Sequence, residues 1–534
     1  MRTDIPFSQK PYSSPLTSLG AEVCNNFYVE LSTSETSRSK YYYVGIPGLR
    51  LLRASSSSVF SAGSACRGLW TTSGGLTYGV YGRYLVQLQY ARTTSAPSVS
   101  YTLVGELRTA SGVVRFVDNG DILLLVDGKY AYTVHTADNV YAQVTEEGFP
   151  GALDGVDGPT HCACVDTYFI VNSSNTNKYY WSAPGYIPYA FDSTHPSVLT
   201  LWNALDYGEK IGDSDYIVGM QQTVGLLWLF GRRSIEIHRN VSAGDDASGQ
   251  QFGRMDNAFI NFGCYAPSTI CRYGNTVYWI GADNTGTLGV FSADSSFQPT
   301  RVSTRGVETR LQKYTRIDDA YSFVYSMDGH AFIVFQFPSG TPTDDQYQAT
   351  GATWVYDITS GTWTRRTRWY EETGLSGMWP ASFATYNWST PIFGDRSTNA
   401  TYWLDNQYFE NDNPDGVGTN MIERIVTSPV GNNAARNVVY HAVQLQMQPG
   451  QGLANPNAQG IGTDPEVMYS YANDGGFSWS NERHKSFGMI GEYAYRCRWV
   501  KCGHGRNRVH KFRITAPVFV AIIGLNVDIE TLSA

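Results

Sequence analysis

Short apolar runs, each broken by a turn of glycine, asparagine or aspartate, recur along most of this chain. Residues 217–238, IVGMQQTVGLLWLFGRRSIEIH, show the unit. From Val224 to Phe230 the run is continuously apolar, as in a strand buried on both faces. Gly231-Arg232-Arg233 makes the turn. The second arm alternates, with Ile235 and Ile237 on one face and Ser234, Glu236 and His238 on the other. It reads as a half-exposed strand. Similar units occupy residues 67–88, 113–134, 162–182, 269–292, 320–337 and 353–364. Their turns include Asn119-Gly120, Asp127-Gly128 and Asp328-Gly329, which join antiparallel neighbours.

Equivalent turns at Gly82, Gly128, Asn175, Gly231 and Gly281 are 46, 47, 56 and 50 residues apart. A period near fifty made of hairpins is the pattern of propeller blades. One small sheet cannot bury both faces alone, so blades pack face to face around an axis. The sequence therefore predicts an all-β chain whose propeller has six or seven blades and spans residues 45–410, with an insertion at 184–212. An irregular N-terminal arm, 1–44, precedes it, with one candidate strand at 26–31. The texture changes after Asp405, and residues 424–534 are expected to form an appended C-terminal β-sandwich. One short helix is expected within 303–315, where Val307, Leu311 and Tyr314 fall at helical spacing.

Composition agrees with strands. Aromatics make up 14% and charged residues only 16%, which favours packed β structure over helix or disorder. Eight cysteines in 534 residues are no disulfide scaffold. The first ten residues lack the apolar core of a signal peptide, and the apolar run 518–523 is too short to span a bilayer. Synthesis in a reducing cytoplasm, free thiols and no membrane segment are expected.

The net charge of −8 is mildly acidic and does not suggest a nucleic-acid coat. Residues 481–513 depart from it, with nine Lys/Arg against Glu482 and Glu492, a local +7 that leaves −15 on the rest. Arg496, Arg498, Lys501, Arg506, Arg508, Lys511 and Arg513 are thus candidate contacts. They form either a solvated face, or a surface for an acidic partner or for DNA phosphates without base readout. Arg232 and Arg233 are candidate rim contacts.

Asp474-Gly-Gly-Phe-Ser-Trp479 fits an Asp-box, a hairpin in which Asp474 caps the loop, Gly476 allows the turn and Trp479 packs beneath. It reads as a structural turn. Glycoside hydrolysis needs two carboxylates across a cleft, and sequence alone does not bring Glu308 or Asp395 into one. His161, Cys162 and Cys164, and then Cys497, Cys502, His504 and His510, lack paired zinc-knuckle spacing. Glu146, Glu147, Asp154 and Asp157 do not match a calcium loop. No catalytic centre, metal or cofactor is expected.

Two further motifs carry a resemblance. Thr194-His195-Pro196 is followed by a hydrophobic strand running into Phe230-Gly231-Arg232-Arg233-Ser234-Ile235-Glu236. With Pro47–Leu49, Arg67-Gly68, the helical segment and the Asp474 turn before Arg-rich strands, this resembles the packaged-DNA stabilisation proteins of short-tailed bacteriophages, also called tail hub or nozzle proteins. The resemblance implies a non-enzymatic component of the virion tail, made in the host cytoplasm. It implies a homo-hexamer beneath the portal-adaptor protein, around the exit path of double-stranded DNA. It also implies sites for a tail needle, fibre or tailspike. A tail-borne glycan-binding or sialidase-like propeller is the alternative, and repeated Asp-boxes would favour it.

Overall fold

The computed structural model describes residues 2–5, 7, 22–32, 39–53, 64–92, 97–146, 148–152, 154–184, 202–241, 251–282, 286–340, 351–387, 390–432 and 436–532. Glu147, the Thr194-His195-Pro196 motif and residues 341–350 lie outside the described residues.

Seven four-stranded antiparallel units follow one another in sequence among the described residues; six are separate sheets, and the sixth in order is part of a larger ten-stranded sheet. Their inner strands are Cys66–Thr71, Arg115–Asp118, Cys162–Val165, Gly219–Thr223, Gly263–Tyr273, Tyr321–Met327 and Ala381–Asn387. Each inner strand touches the next, and the seventh touches the first, so the ring closes into a β-propeller. The closing blade is composite. Ala381–Asn387, Thr390–Asp395 and Thr401–Asp405 come from late in the chain, and Gly48–Arg53 adds the outer strand. This latch ties the first described propeller strand to the last.

Packing explains the strand sequences. Leu227 to Phe230 are fully buried because blade 4 is covered on both faces. The strand Ile235–Asn240 departs from expectation in the same way: Ser234, Glu236 and His238 are also buried. Their face meets blade 3 rather than solvent, and its polar groups are paired there. Tyr179 and His238 lie 2.9 Å apart, Oη to Nδ1, and Lys210 Nζ donates to Ser234 Oγ at 2.7 Å. Val224 is not part of the buried strand either. It sits in the turn at φ 51°, more than half exposed. The helix forms at Arg305–Gln312 and buries Val307 and Leu311 under blades 5 and 6.

The C-terminal sheets form a sandwich with its own core, including Val443, Tyr469, Trp499 and Phe512. The expected boundaries change in two places. Phe27–Leu31 and Tyr41–Gly45, expected in the N-terminal arm, join a sandwich sheet beside Ala521–Thr531. Trp202–Glu209, expected inside the insertion, is the outer strand of blade 3. Hydrophobic period alone cannot show which sheet an early strand will join.

Propeller and sandwich are continuous. Cys24–Asn25 pairs with the outer strand of blade 6, Thr362–Arg365, and with Arg424–Thr427, so one ten-stranded sheet runs through both. Buried arginines reinforce the join. Arg366 donates to Phe27 O at 2.6 Å, and Arg424 donates to Ile46 O at 3.1 Å.

Candidate functional site

The basic stretch does not form one surface; strand geometry divides it into three places. Cys497–Val500 is an edge strand that buries Cys497 and Trp499 in the core and turns Arg498 outward. Arg496, Arg498, Lys501 and Arg506 are exposed. Arg506 donates weakly to Asn437 Oδ1 at 3.3 Å.

Arg508 is removed from any candidate contact surface. It is fully buried between the rings of Tyr440 and Tyr471, each 4.1 Å from its guanidinium carbon. It donates to Asn473 Oδ1 at 2.8 Å, Cys502 O at 2.6 Å and His504 O at 3.0 Å. These bonds and the two aromatic faces satisfy a buried guanidinium. Its role is structural.

Lys511 and Arg513 lie two apart on Asn507–Ile514 and share the face opposite Phe512 and Ile514. That face looks into a cavity of about 490 Å³ between propeller and sandwich. The propeller contributes Arg310 from the helix, Arg365 from blade 6, and Trp369. The sandwich side contributes Trp479, Glu482, Lys511 and Arg513, and Glu423 comes from the connection. Arg513 grips Glu482 with two bonds, of 2.8 and 2.6 Å, and stands 3.5 Å from Glu423. The bidentate pair holds the Glu482 carboxyl below its ordinary range. Burial raises the pKa of Glu423 despite Arg513, and burial lowers that of Lys511. Lys511 Nζ sits 5.0 Å over Trp479. Sequence reasoning missed Arg310, Arg365, Trp369 and Glu423, because only folding brings them to residues so distant in the chain.

The Asp474 turn closes as its residues require. Asp474 accepts from the N–H groups of Gly476, Phe477 and Ser478, with a shortest bond of 2.9 Å, and Gly476 takes φ 110°. Trp479 then lines the cleft instead of a core.

Arg232 and Arg233 stand at a second cavity, of about 760 Å³, between blades 3 and 4. Both are exposed. Beneath them Asp215 receives Lys210 and the N–H of Arg233, at 2.8 Å for the latter. This arrangement explains the Phe-Gly-x-x-x-Ile-Glu motif. Phe230 and Ile235 fill the core, and a Cβ at Gly231 would fall 2.0 Å from an Asp215 oxygen. Glu236 accepts from Gly212 N–H at 2.6 Å. Burial opposes ionisation of Glu236, but His238 and that N–H outweigh it and keep its pKa low.

The propeller axis is occupied at one end. Arg115, on the inner strand of blade 2, donates to Thr160 O at 2.9 Å and to Ser268 Oγ of blade 5 at 3.0 Å. Blades 2 and 5 lie on opposite sides of the ring, so this side chain crosses the axis. His161 Nε2 lies 3.4 Å from Pro267 O beside it. The axial cavity is about 410 Å³ and is lined by all seven inner strands.

Other candidate chemistry is spent locally. Glu308 accepts from Arg301 and Ser303, each at 2.6 Å, and Asp395 accepts from Ser397 N–H and Thr398 Oγ1. Among the described residues no three His, Cys, Asp or Glu side chains converge as a metal site. No helix among them is long and apolar enough to cross a membrane.

A family model described as "Bacteriophage P22 Gp10, beta-propeller" matches residues 22–409, and one described as "Bacteriophage P22 Gp10, beta-sandwich" matches 423–530. No curated protein matches the chain. Solved structures similar to it include the computationally designed Ika8 protein, at 10% identity over 67% of this chain and 100% of that one, TM-score 0.35. Another is an exo-β-1,3-galactanase from Phanerochaete chrysosporium, at 12% identity over 78% of this chain and 95% of that one, TM-score 0.27. A chain of a mitotic checkpoint complex is 11% identical over 70% of this chain and 96% of that one, TM-score 0.37. At such TM-scores the likeness carries no argument.

Proposed function

The chain belongs to the bacteriophage P22 Gp10 family of phage stabilisation proteins, and on that premise we propose how it acts in the virion. It is a tail hub or nozzle. Six copies form a ring beneath the portal-adaptor protein, close the packaged capsid and surround the path of ejected double-stranded DNA. The outer surface offers sites to a tail needle, fibre or tailspike.

The family match across propeller and sandwich carries this reading. The axis supports it physically. Arg115 reaches across the propeller centre, so one propeller is no conduit for a duplex. A channel must then lie between copies, and head-to-tail contacts closing by rotation supply such a lumen. The exposed cations Arg496, Arg498, Lys501 and Arg506 are suited to partner contact or to phosphates met without base readout. We read the protein as non-enzymatic because the family it belongs to is one of phage stabilisation proteins.

Electron cryomicroscopy of assembled particles tests the ring. Six copies at the head–tail junction are expected, and a junction without six-fold density for this chain overturns it. Hydrolysis of a host surface glycan by the purified protein would overturn the non-enzymatic reading.

A further inference from the structure

We propose that the cavity on the propeller axis is a binding site for one small oxyanion, a phosphate, sulfate or carboxylate group, with Arg115 as the residue that grips it. Such a site requires no ring of copies.

The first observation is a cation without a counter-charge. Arg115 crosses the axis from blade 2, and the hydrogen bonds it makes among the described residues go to neutral acceptors, Thr160 O at 2.9 Å and Ser268 Oγ at 3.0 Å. A guanidinium carries five N–H donors, so donors remain for a ligand. The groups that act on its charge are the thiols of Cys162 and Cys264, with no carboxylate among them. Burial pushes both thiols up to about 12, which leaves them neutral at pH 7. His161, beside it, supplies no negative charge either, since burial and Arg115 hold its pKa well below the ordinary value. Burial also lowers the pKa of Arg115, to about 10, so the guanidinium is still charged at neutral pH. Enclosing such a cation away from any acid is costly, and an incoming anion recovers that cost.

The second observation is the lining. All seven inner strands contribute to it, and none brings an aspartate or glutamate. Its charged residues are Arg115 and Arg272. Arg272 also binds neutral acceptors, Gln222 O at 2.9 Å and Gln222 Oε1 at 2.8 Å. Asp118, on the same strand as Arg115, stays out of the lining and accepts from Trp70 Nε1 at 2.8 Å and Ser73 Oγ at 2.6 Å. Trp70, Met220 and Phe323 make much of the wall apolar, and in such surroundings a guanidinium–anion pair is stronger than in water.

The shape of the guanidinium selects the ligand class. Its planar fork offers parallel N–H groups to two oxygens, which suits a carboxylate or a tetrahedral oxyanion better than a halide. The cavity, about 410 Å³, admits such a group with ordered water and is far too small for a duplex. Because Arg115 already bonds to Thr160 and Ser268, a bound oxyanion also braces blade 2 against the opposite side of the ring.

Isothermal titration calorimetry of the full chain, with sodium phosphate, sulfate and acetate as probes, tests the site. One oxyanion per chain is expected. Arg115→Gln should weaken binding about tenfold or more, and Arg115→Lys, which keeps the charge without the fork, should weaken it less. Tighter binding of phosphate than acetate marks a phosphoryl ligand, and the reverse marks a carboxylate. Thermal melting shows whether the variants fold, and the tightest anion should raise the melting temperature of the unaltered chain more than that of Arg115→Gln. Should Arg115→Gln fail to fold, a crystal of the unaltered chain soaked in that anion decides, with density expected within hydrogen-bond distance of the Arg115 guanidinium. The proposal is overturned if none of the three anions binds, if Arg115→Gln binds them as well as the unaltered chain, or if the soaked anion lies only away from the axis.

Discussion

Asn26 and Thr367, 341 positions apart, are joined by three hydrogen bonds. Asn26 Nδ2 donates to Thr367 O at 3.1 Å and Oγ1 at 2.8 Å, and Thr367 N–H donates to Asn26 Oδ1 at 2.9 Å. Nδ2 also donates to Glu423 O at 2.8 Å. One buried amide therefore ties the N-terminal segment, the exit of blade 6 and the approach to the sandwich. Its backbone lies at φ 58°, a conformation asparagine tolerates better than most residues. Asn26→Ala should destabilise the protein by about 3 kcal/mol, from unsatisfied buried groups and the strained φ. Asn26→Gly relieves the backbone and should lose somewhat less. Urea unfolding followed by tryptophan fluorescence measures both.

His330 makes the same junction depend on pH. Its Nδ1 lies 2.8 Å from Asp357 and its Nε2 2.9 Å from Glu30, with the Tyr28 ring against it. Burial alone would lower its pKa, but bonds to Asp357 and Glu30 outweigh burial and raise it above the ordinary 6.5. A raised cationic pKa contributes stability fully below the unfolded value, lost as pH rises through the folded one. The stability difference between the protein and His330→Gln should therefore be largest below pH 6.5 and shrink above it. A difference independent of pH would refute the charged bridge. Subtracting the variant's curve removes Glu146, which burial raises to about 7 and which titrates over an overlapping range.

The divided basic stretch separates stability from assembly. Arg508→Lys removes a planar group from between Tyr440 and Tyr471 and should cost about 2–3 kcal/mol, whereas Arg506→Lys should cost under about 0.5. Calorimetric melting compares them.

The double change Arg496→Glu with Arg498→Glu alters two exposed side chains. It should leave melting unchanged and block incorporation into particles. Normal incorporation, read by protein gel of purified virions, would assign these cations to a solvated face.

All eight cysteines are free thiols, and Cys24, Cys66, Cys264 and Cys271 are buried, with pKa pushed up to about 12 by that burial. Thiolate is the reactive form. Native protein should react slowly with a disulfide reagent, eight thiols should appear after denaturation, and reductant should not shift the melt. A melt lowered by reductant would reveal a disulfide.

The repeated hairpins were legible because a blade is a local object. Its strands pair with their sequence neighbours, so turn residues and apolar period mark it directly. Gly231 and Glu236 were legible as a motif, though the reason for it, contact with Asp215 and Gly212 from the preceding loop, was not.

What the chain by itself determined was the class and repetition of the fold, the short helix, and the Asp474 turn, all governed by contacts within a few dozen residues. Tertiary structure alone decided the rest. It paired Gly48–Arg53 with Thr401–Asp405, joined Cys24–Asn25 to both domains, and placed Arg115 across the axis. It also divided residues 481–513, leaving Arg498 in solvent, enclosing Arg508 between two tyrosines, and setting Lys511 over Trp479 in a cavity that Trp369 and Glu423 also line. The physical reason is that burial and partners are set by neighbours hundreds of residues away, and local period holds no record of them.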